Sequence, residues 1–256
     1  MIKLDNVSMA FHNNPVLANI SLDIAEGEIM VIIGPSGSGK STILRLMIGL
    51  LRPTAGEIWI NDQEISRLNE EELNVIRRKM GMVFQYSALF DSMSVGENVA
   101  FGLRQHTAMS EEEIARTVRR RLRMVGLTGR EDVMPSQLSG GMKKRVSLAR
   151  AIAINPQIVL YDEPTAGLDP IMSTTIDRLI CSTRRILNVT SVVVTHHMSS
   201  AFNIADRIAM IYEGRIIEIG TVSEIKKSAN PIVQQFIHGW AEPGQFARRR
   251  SRKNES

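Results

Sequence analysis

A single cysteine, Cys181, stands in the 256 residues. It has no partner for an intrachain disulfide, and a multi-cysteine metal site is excluded. Long apolar runs are missing as well. Stretches such as "IMVIIG" and "SVVVT" fall far short of the ~20 residues that a membrane-spanning helix needs. The opening "MIKLDNVSMAFHNN" has no apolar signal core. The expected setting is therefore the cytoplasm, unless another protein holds the chain at a membrane. The body of the chain also lacks a charge excess. Net charge is +4, and the last nine residues, "RRRSRKNES", hold five cations against one anion. The rest is close to neutral, which argues against a dedicated nucleic-acid binder with a basic face. The tail reads as a solvated end, or as a contact for anionic headgroups or a partner.

What is present is enough apolar residue for a packed core and a pattern that changes along the chain. "IKLDNVSMAF", "ANISLDIA" and "GEIWIN" alternate with period two, as half-buried antiparallel strands do. "EIMVIIG", "QIVLYDE" and "SVVVTHH" are continuous apolar runs, which fit strands buried on both faces of a parallel sheet. "RIAMIYEGRIIEIG" reads as a hairpin turning at Glu213 and Gly214. In 110–125, Ile114, Val118, Leu122 and Val125 share one helical face, and Ser110 with Glu113 forms a capping-box pattern. The expectation is an α/β fold: a core from 1–87 and 156–230 with an added antiparallel layer, a helical lobe inserted at 88–155, and an extension at 231–256.

Chemistry concentrates in a few places. "GPSGSGKST", Gly34, Pro35, Ser36, Gly37, Ser38, Gly39, Lys40, Ser41 and Thr42, follows a buried strand and precedes a helical run. That strand–loop–helix order is the context of a phosphate loop. The glycines let backbone N–H groups point at an anion, the helix start adds its dipole, Lys40 meets terminal phosphates, and Ser41 offers a hydroxyl to Mg²⁺. A Mg-nucleotide site also needs an acid at a neighbouring strand end. Asp162 is placed to hold the metal, and Glu163 to polarise an attacking water. His196 ends another buried strand and is the candidate for a terminal phosphate or the water. Gln85 is the candidate to touch Mg²⁺ at the entry to the helical lobe. "QLSGGMKKR" at 137–145 is a second glycine-rich, cation-flanked loop, of a composition that suits an anion.

In order, "GPSGSGKS", "FQ", "LSGGM", "VLYDEP", "AGLD" and "VTHH" span nearly the whole chain. Together they resemble the nucleotide-binding subunits of ABC transporters. The resemblance implies a P-loop NTPase cassette with a RecA-like core, an ATPase using ATP and Mg²⁺. It matches Asp162 and Glu163 to the Walker B acids, Gln85 to the Q-loop, Asp169 to the D-loop and His196 to the switch histidine. It implies a head-to-tail homodimer in which Ser139, Gly140 and Gly141 of one copy bind the γ-phosphate held by the other. Two anion loops are then needed because neither site is complete in one chain. Phe11 occupies roughly the place of the adenine-stacking ring, although a core phenylalanine at a strand end fits that position equally. Two departures stand out: Met142 replaces the usual glutamine of the signature, and His197 stands where many relatives have aspartate.

"LSGGMKKRVSLARA", "FQYSALFDSMSVGENVAFGLR", "YDEPTAGLDPI" and "NPIVQQFIHGWAEPG" resemble the Mla/Mce-type lipid-transport branch. That implies phospholipid or a related substrate, an integral-membrane permease, an MCE-domain partner, sometimes a small STAS-domain protein, and a seat on the cytoplasmic face of the inner membrane through the permease. Nucleic acid is not an expected partner. The resemblance places Tyr86, Leu89 and Phe90 against the permease. It leaves Phe236, Trp240 and Phe246 either as anchors on the second ATPase or as part of a terminal helix packed on its own chain. The competing readings are a polar-nutrient importer ATPase, a soluble non-transport ABC ATPase, and a P-loop kinase, which leaves "LSGGM" unexplained.

Overall fold

The computed structural model describes residues 1–12 and 14–239. Strands β1 (Ile2–Phe11) and β2 (Asn14–Ile24) form an antiparallel pair, and β3 (Ile29–Ile33) follows. Next come α1 (Lys40–Met47), β4 (Ala55–Ile60), the two-residue β5 (Gln63–Glu64), α2 (Glu70–Arg77) and β6 (Met80–Val83). Three helices then run in succession: α3 (Val95–His106), α4 (Glu111–Met124) and α5 (Gly140–Ala151). The chain returns through β7 (Ile158–Asp162), α6 (Pro170–Leu187), β8 (Thr190–Val194) and α7 (Met198–Ile204). It closes with β9 (Arg207–Tyr212), β10 (Arg215–Thr221), α8 (Val222–Lys226) and α9 (Pro231–His238).

The strands make two sheets, ordered β2-β1-β4-β5 and β10-β9-β3-β8-β7-β6. The larger is parallel except for β10, which turns back antiparallel on β9 through Glu213 and Gly214, both at positive φ. Its continuous apolar strands have a simple cause. Successive side chains leave opposite faces of a strand, and both faces are covered. Ile29, Val31 and Ile33 of β3 enter the core shared with the helical lobe, whereas Met30 and Ile32 enter the core under the antiparallel layer.

Helix α4 forms where the spacing predicts a helix. Ile114, Val118, Leu122 and Val125 are all buried, and the Ser110–Glu113 capping box is closed. Arg121, on the same helix, is a surprise: it is 1 % exposed. Its guanidinium donates to the Asn155 side-chain carbonyl and contacts Met124 Sδ, and burial pulls its pKa down to about 10. Arg121→Ala is expected to lower the urea-unfolding free energy by about 2–4 kcal/mol, from the cavity left where a fully buried side chain stood. An unchanged unfolding midpoint would sink that account.

Sequence patterning did not mark β6 or α2. β6 is only four residues long, and Gly81 lets it press against α5, where an added Cβ would meet the Ala151 carbonyl at 2.3 Å. At the other end, Val233 is buried and Phe236 packs against the core of its own chain. Trp240, Phe246 and the basic tail lie outside the described residues. No helix among the described residues is long and apolar enough to cross a membrane.

Candidate functional site

The loop 34–39 leaves β3 and enters α1, and its glycines are there for two separate reasons. Gly34 (φ 152°) lets the backbone pass the Ile211 carbonyl, which an added Cβ would meet at 2.2 Å. Gly39 (φ 101°) adopts the left-handed turn that starts α1 and packs on Leu17. The concavity of the loop ends at the start of α1, where a helix leaves its first N–H groups without intrahelical partners, the ordinary basis of an anion cradle.

Lys40 Nζ curls into that concavity and donates to the carbonyls of Gly34 and Pro35, both at 2.9 Å. Burial pushes its pKa down, while the Glu163 and Asp162 carboxylates oppose that shift. Ser41 Oγ donates to Asp162 Oδ1 at 2.8 Å, joining two segments 121 residues apart. Glu163, in a left-handed conformation at φ 47°, is 7 % exposed and accepts from His196 Nδ1 through Oε1 at 2.9 Å. The backbone N–H of Glu163 donates to the Val194 carbonyl at 2.9 Å, which ties the end of β7 to the end of β8.

Lys40, Ser41, Glu163 and His196 line one open cavity of about 310 Å³ together with Val16, Ser36, Gly37, Gly39, Thr42 and Gln85, whereas Asp162 is not among the lining residues and joins them through Ser41. Val16 had no signal in the sequence, being one apolar position among many in an alternating strand. Ser38 is buried beneath, its hydroxyl without a protein partner. The donor set fits Mg²⁺ in kind. Ser41 Oγ, Asp162 Oδ1 and the Gln85 side chain supply hard oxygens, and no cluster of three or more His, Cys, Asp or Glu exists among the described residues. A site with one carboxylate and a hydroxyl suits a cation that keeps water and takes phosphate oxygens.

Other expected residues lie elsewhere. Ser139 caps α5, its Oγ accepting from Met142 N at 3.3 Å, and Gly140 and Gly141 form the first turn. Asp169 caps α6, accepting from the N–H groups of Ile171 and Met172 at 2.9 Å. An added Cβ at Gly141 would strike Met172 Cε at 2.4 Å, so the two helix starts are packed together. None of these four lines the cavity, and neither does Phe11, which sits 39 % exposed at the end of β1. Met142 is half-buried against the lobe core. Met142→Gln keeps the backbone N–H that Ser139 caps, so ATP turnover is expected to stay within about threefold. A collapse of turnover would assign that side chain a task beyond packing. His197 lies beside His196, with ring centroids 4.4 Å apart and the rings tilted by 59°. Tyr86 and Phe90 are exposed, whereas Leu89 packs into the lobe core. Lys144, unmarked by the sequence, reaches from α5 to the main chain at both Gln85 and Glu163.

Comparison with known proteins agrees with this geometry. The family model "ABC transporter" matches residues 17–166. A chloroplastic protein of Arabidopsis thaliana, trigalactosyldiacylglycerol 3, is 44 % identical over 93 % of this chain and 74 % of its own. The intermembrane phospholipid transport system ATP-binding protein MlaF of Haemophilus influenzae is 41 % identical, covering 93 % and 90 %. A methionine import ATP-binding protein of Carboxydothermus hydrogenoformans is 44 % identical, covering 86 % and 65 %. Among solved structures, a dimeric ATP-binding cassette in a post-hydrolysis state, bound to ADP and Pi, superposes with a TM-score of 0.80. It is 37 % identical, covering 87 % of this chain and 99 % of that one.

Proposed function

Because the chain belongs to the ABC transporter family and is an ATPase of that family, we propose that it drives phospholipid transport as the ATP-hydrolysing homodimer of a membrane complex. The observation that carries the chemistry is the convergence of Lys40, the Ser41–Asp162 pair and the Glu163–His196 pair on one cavity. In this reading Lys40 and the N–H groups of 36–41 bind the β- and γ-phosphates. Ser41, Gln85 and Asp162 hold Mg²⁺, which when bound supplies positive charge to the phosphate oxygens. Glu163 orients the attacking water and takes its proton, and His196 keeps that carboxylate aimed. Asp169, Ser139, Gly140 and Gly141 stand outside the cavity of their own chain, which supports their service to a second copy. The dimeric form of the solved relative supports the same reading. Phe11 is kept as the base-stacking candidate, its ring exposed at a strand end.

The lipid assignment rests on the likeness to the phospholipid transport ATPase over nine-tenths of both chains. The partners follow with it: a lipid permease docked through Tyr86 and Phe90, an MCE-domain protein, and in some systems a STAS-domain subunit. The chain then works at the cytoplasmic face of the inner membrane. The methionine-import relative is the observation that favours a nutrient importer instead. A tagged Glu163→Gln chain, pulled from native membranes in mild detergent, separates the two. Recovery of a permease with an MCE-domain protein and phospholipid is the expected result. Recovery of a permease with a solute-binding protein would move the assignment to nutrient import.

A further inference from the structure

Lys144 sits one turn into α5 and is only 5 % exposed. Burial disfavours its charge, and the nearby Asp162 and Glu163 carboxylates partly restore it. The ammonium donates to two main-chain carbonyls, that of Gln85 and, at 3.3 Å, that of Glu163. Burying a cation merely to fill space is a poor use of it, because an apolar side chain of similar length packs there without the desolvation cost. The two carbonyls are therefore the informative part. They belong to two cavity residues on different segments, one at the entry to the helical lobe and one at the end of β7. At Glu163 the backbone is also in a conformation that residues with a Cβ seldom adopt, so its carbonyl needs a fixed partner to hold that aim.

α5 carries more than Lys144. Arg150, six residues on, donates to the carbonyls of Ser87 and Ala88 at 3.0 and 2.7 Å. Those two residues are consecutive left-handed turns, φ 62° and 47°. From α3, Asn98 holds Phe90 through both its N–H and its carbonyl. The segment 85–90 is thus bolted to the lobe. A helix moves as a rigid body, so a displacement felt at Ser139–Gly141 at its start is delivered to each carbonyl its side chains hold. We propose that Lys144 is a positioning residue for hydrolysis, tying the carbonyls of Gln85 and Glu163 to α5 so that the seating of the Ser139–Gly141 turn sets the aim of the Glu163 carboxylate. The inference rests on the reading of Glu163 as the residue that handles the attacking water.

The test is ATP hydrolysis by the full chain, as purified with its membrane partners, for Lys144→Met, Glu163→Gln and the double variant. Lys144→Met is expected to lower kcat by about tenfold or more while KM for MgATP stays within about threefold, the pattern of an interaction used only in the transition state. In the double variant, phosphate release measured over hours should be no slower than in Glu163→Gln alone, because Lys144 acts through that carboxylate. Lys144→Gln keeps one shorter donor and should fall between wild type and Lys144→Met; it carries the same kcat and KM comparison if the methionine variant does not fold. An unchanged kcat, a rise confined to KM, or a full multiplicative loss in the double variant overturns the proposal. Full turnover in Glu163→Gln alone overturns instead the reading of Glu163 on which it stands.

Discussion

Glu163→Gln is expected to leave MgATP affinity within about threefold and to cut turnover by ~10²–10⁴-fold, the usual worth of a positioned general base. The substitution changes one carboxylate oxygen into an amide nitrogen and little else. Shape, burial and the left-handed backbone are kept, and the amide oxygen still accepts from His196 Nδ1, now 2.9 Å from Glu163 Oε1. What is lost is the capacity to accept the proton of a water in the cavity. The binding groups, Lys40 and the loop, are untouched, so nucleotide should stay bound and lock the complex in its ATP form. Equilibrium binding of labelled ATP, set beside phosphate release, reads both halves. Turnover equal to wild type would remove Glu163 from its assigned place.

The second large effect is at Lys40. Lys40→Ala is expected to weaken MgATP binding by about 100-fold or more, since charge-assisted bonds to phosphate are worth about 1.5–3 kcal/mol each. The effect on stability should be smaller, because two contributions oppose each other. Burial holds the folded-state pKa of Lys40 below the ordinary lysine value, so the folded chain binds that proton less tightly than the unfolded chain does. The resulting penalty is fully present at neutral pH and is relieved as pH rises toward the ordinary value. Removing the ammonium removes that penalty, but it also removes two 2.9 Å hydrogen bonds to the Gly34 and Pro35 carbonyls, so the nucleotide-free melting point near pH 7 should change far less than the affinity does. Titration calorimetry gives the first quantity and thermal melts without nucleotide the second. Unaltered affinity would end the phosphate-loop assignment, and a melting point many degrees lower would mean that the two bonds to the Gly34 and Pro35 carbonyls outweigh the burial of the charge.

Much of this was legible because it is local. The strand–loop–helix at 34–42, the strand-end acids and the stripe of Ile114, Val118 and Leu122 are each written within a few neighbouring residues, where spacing alone carries the physics. The Ser41–Asp162 contact was reachable too, though its members are far apart, because the Mg-nucleotide reading asks for both. What stayed hidden depends on side chains that converge for no reason of sequence. Lys144 looks like one of three cations after a glycine pair, and only packing turns it inward onto Gln85 and Glu163. Arg121 looks like any arginine on a charged helix face, and only the loop at Asn155 makes it a buried one. β6 escaped because four residues around a glycine show no period.

The order of strands in the larger sheet has a consequence for synthesis. β3 lies between β8 and β9, so its edges pair with Ser191–Val194 and with Arg207–Met210. The glycine-rich loop 34–39 hangs from this strand, yet neither neighbour exists until most of the chain has been translated. At about 5–20 residues per second, the apolar run Ile29–Ile33 waits some ~8–35 s on the ribosome with both edges open. That interval is when the nascent chain most needs a chaperone, and slow codons placed between β3 and β8 would lengthen it.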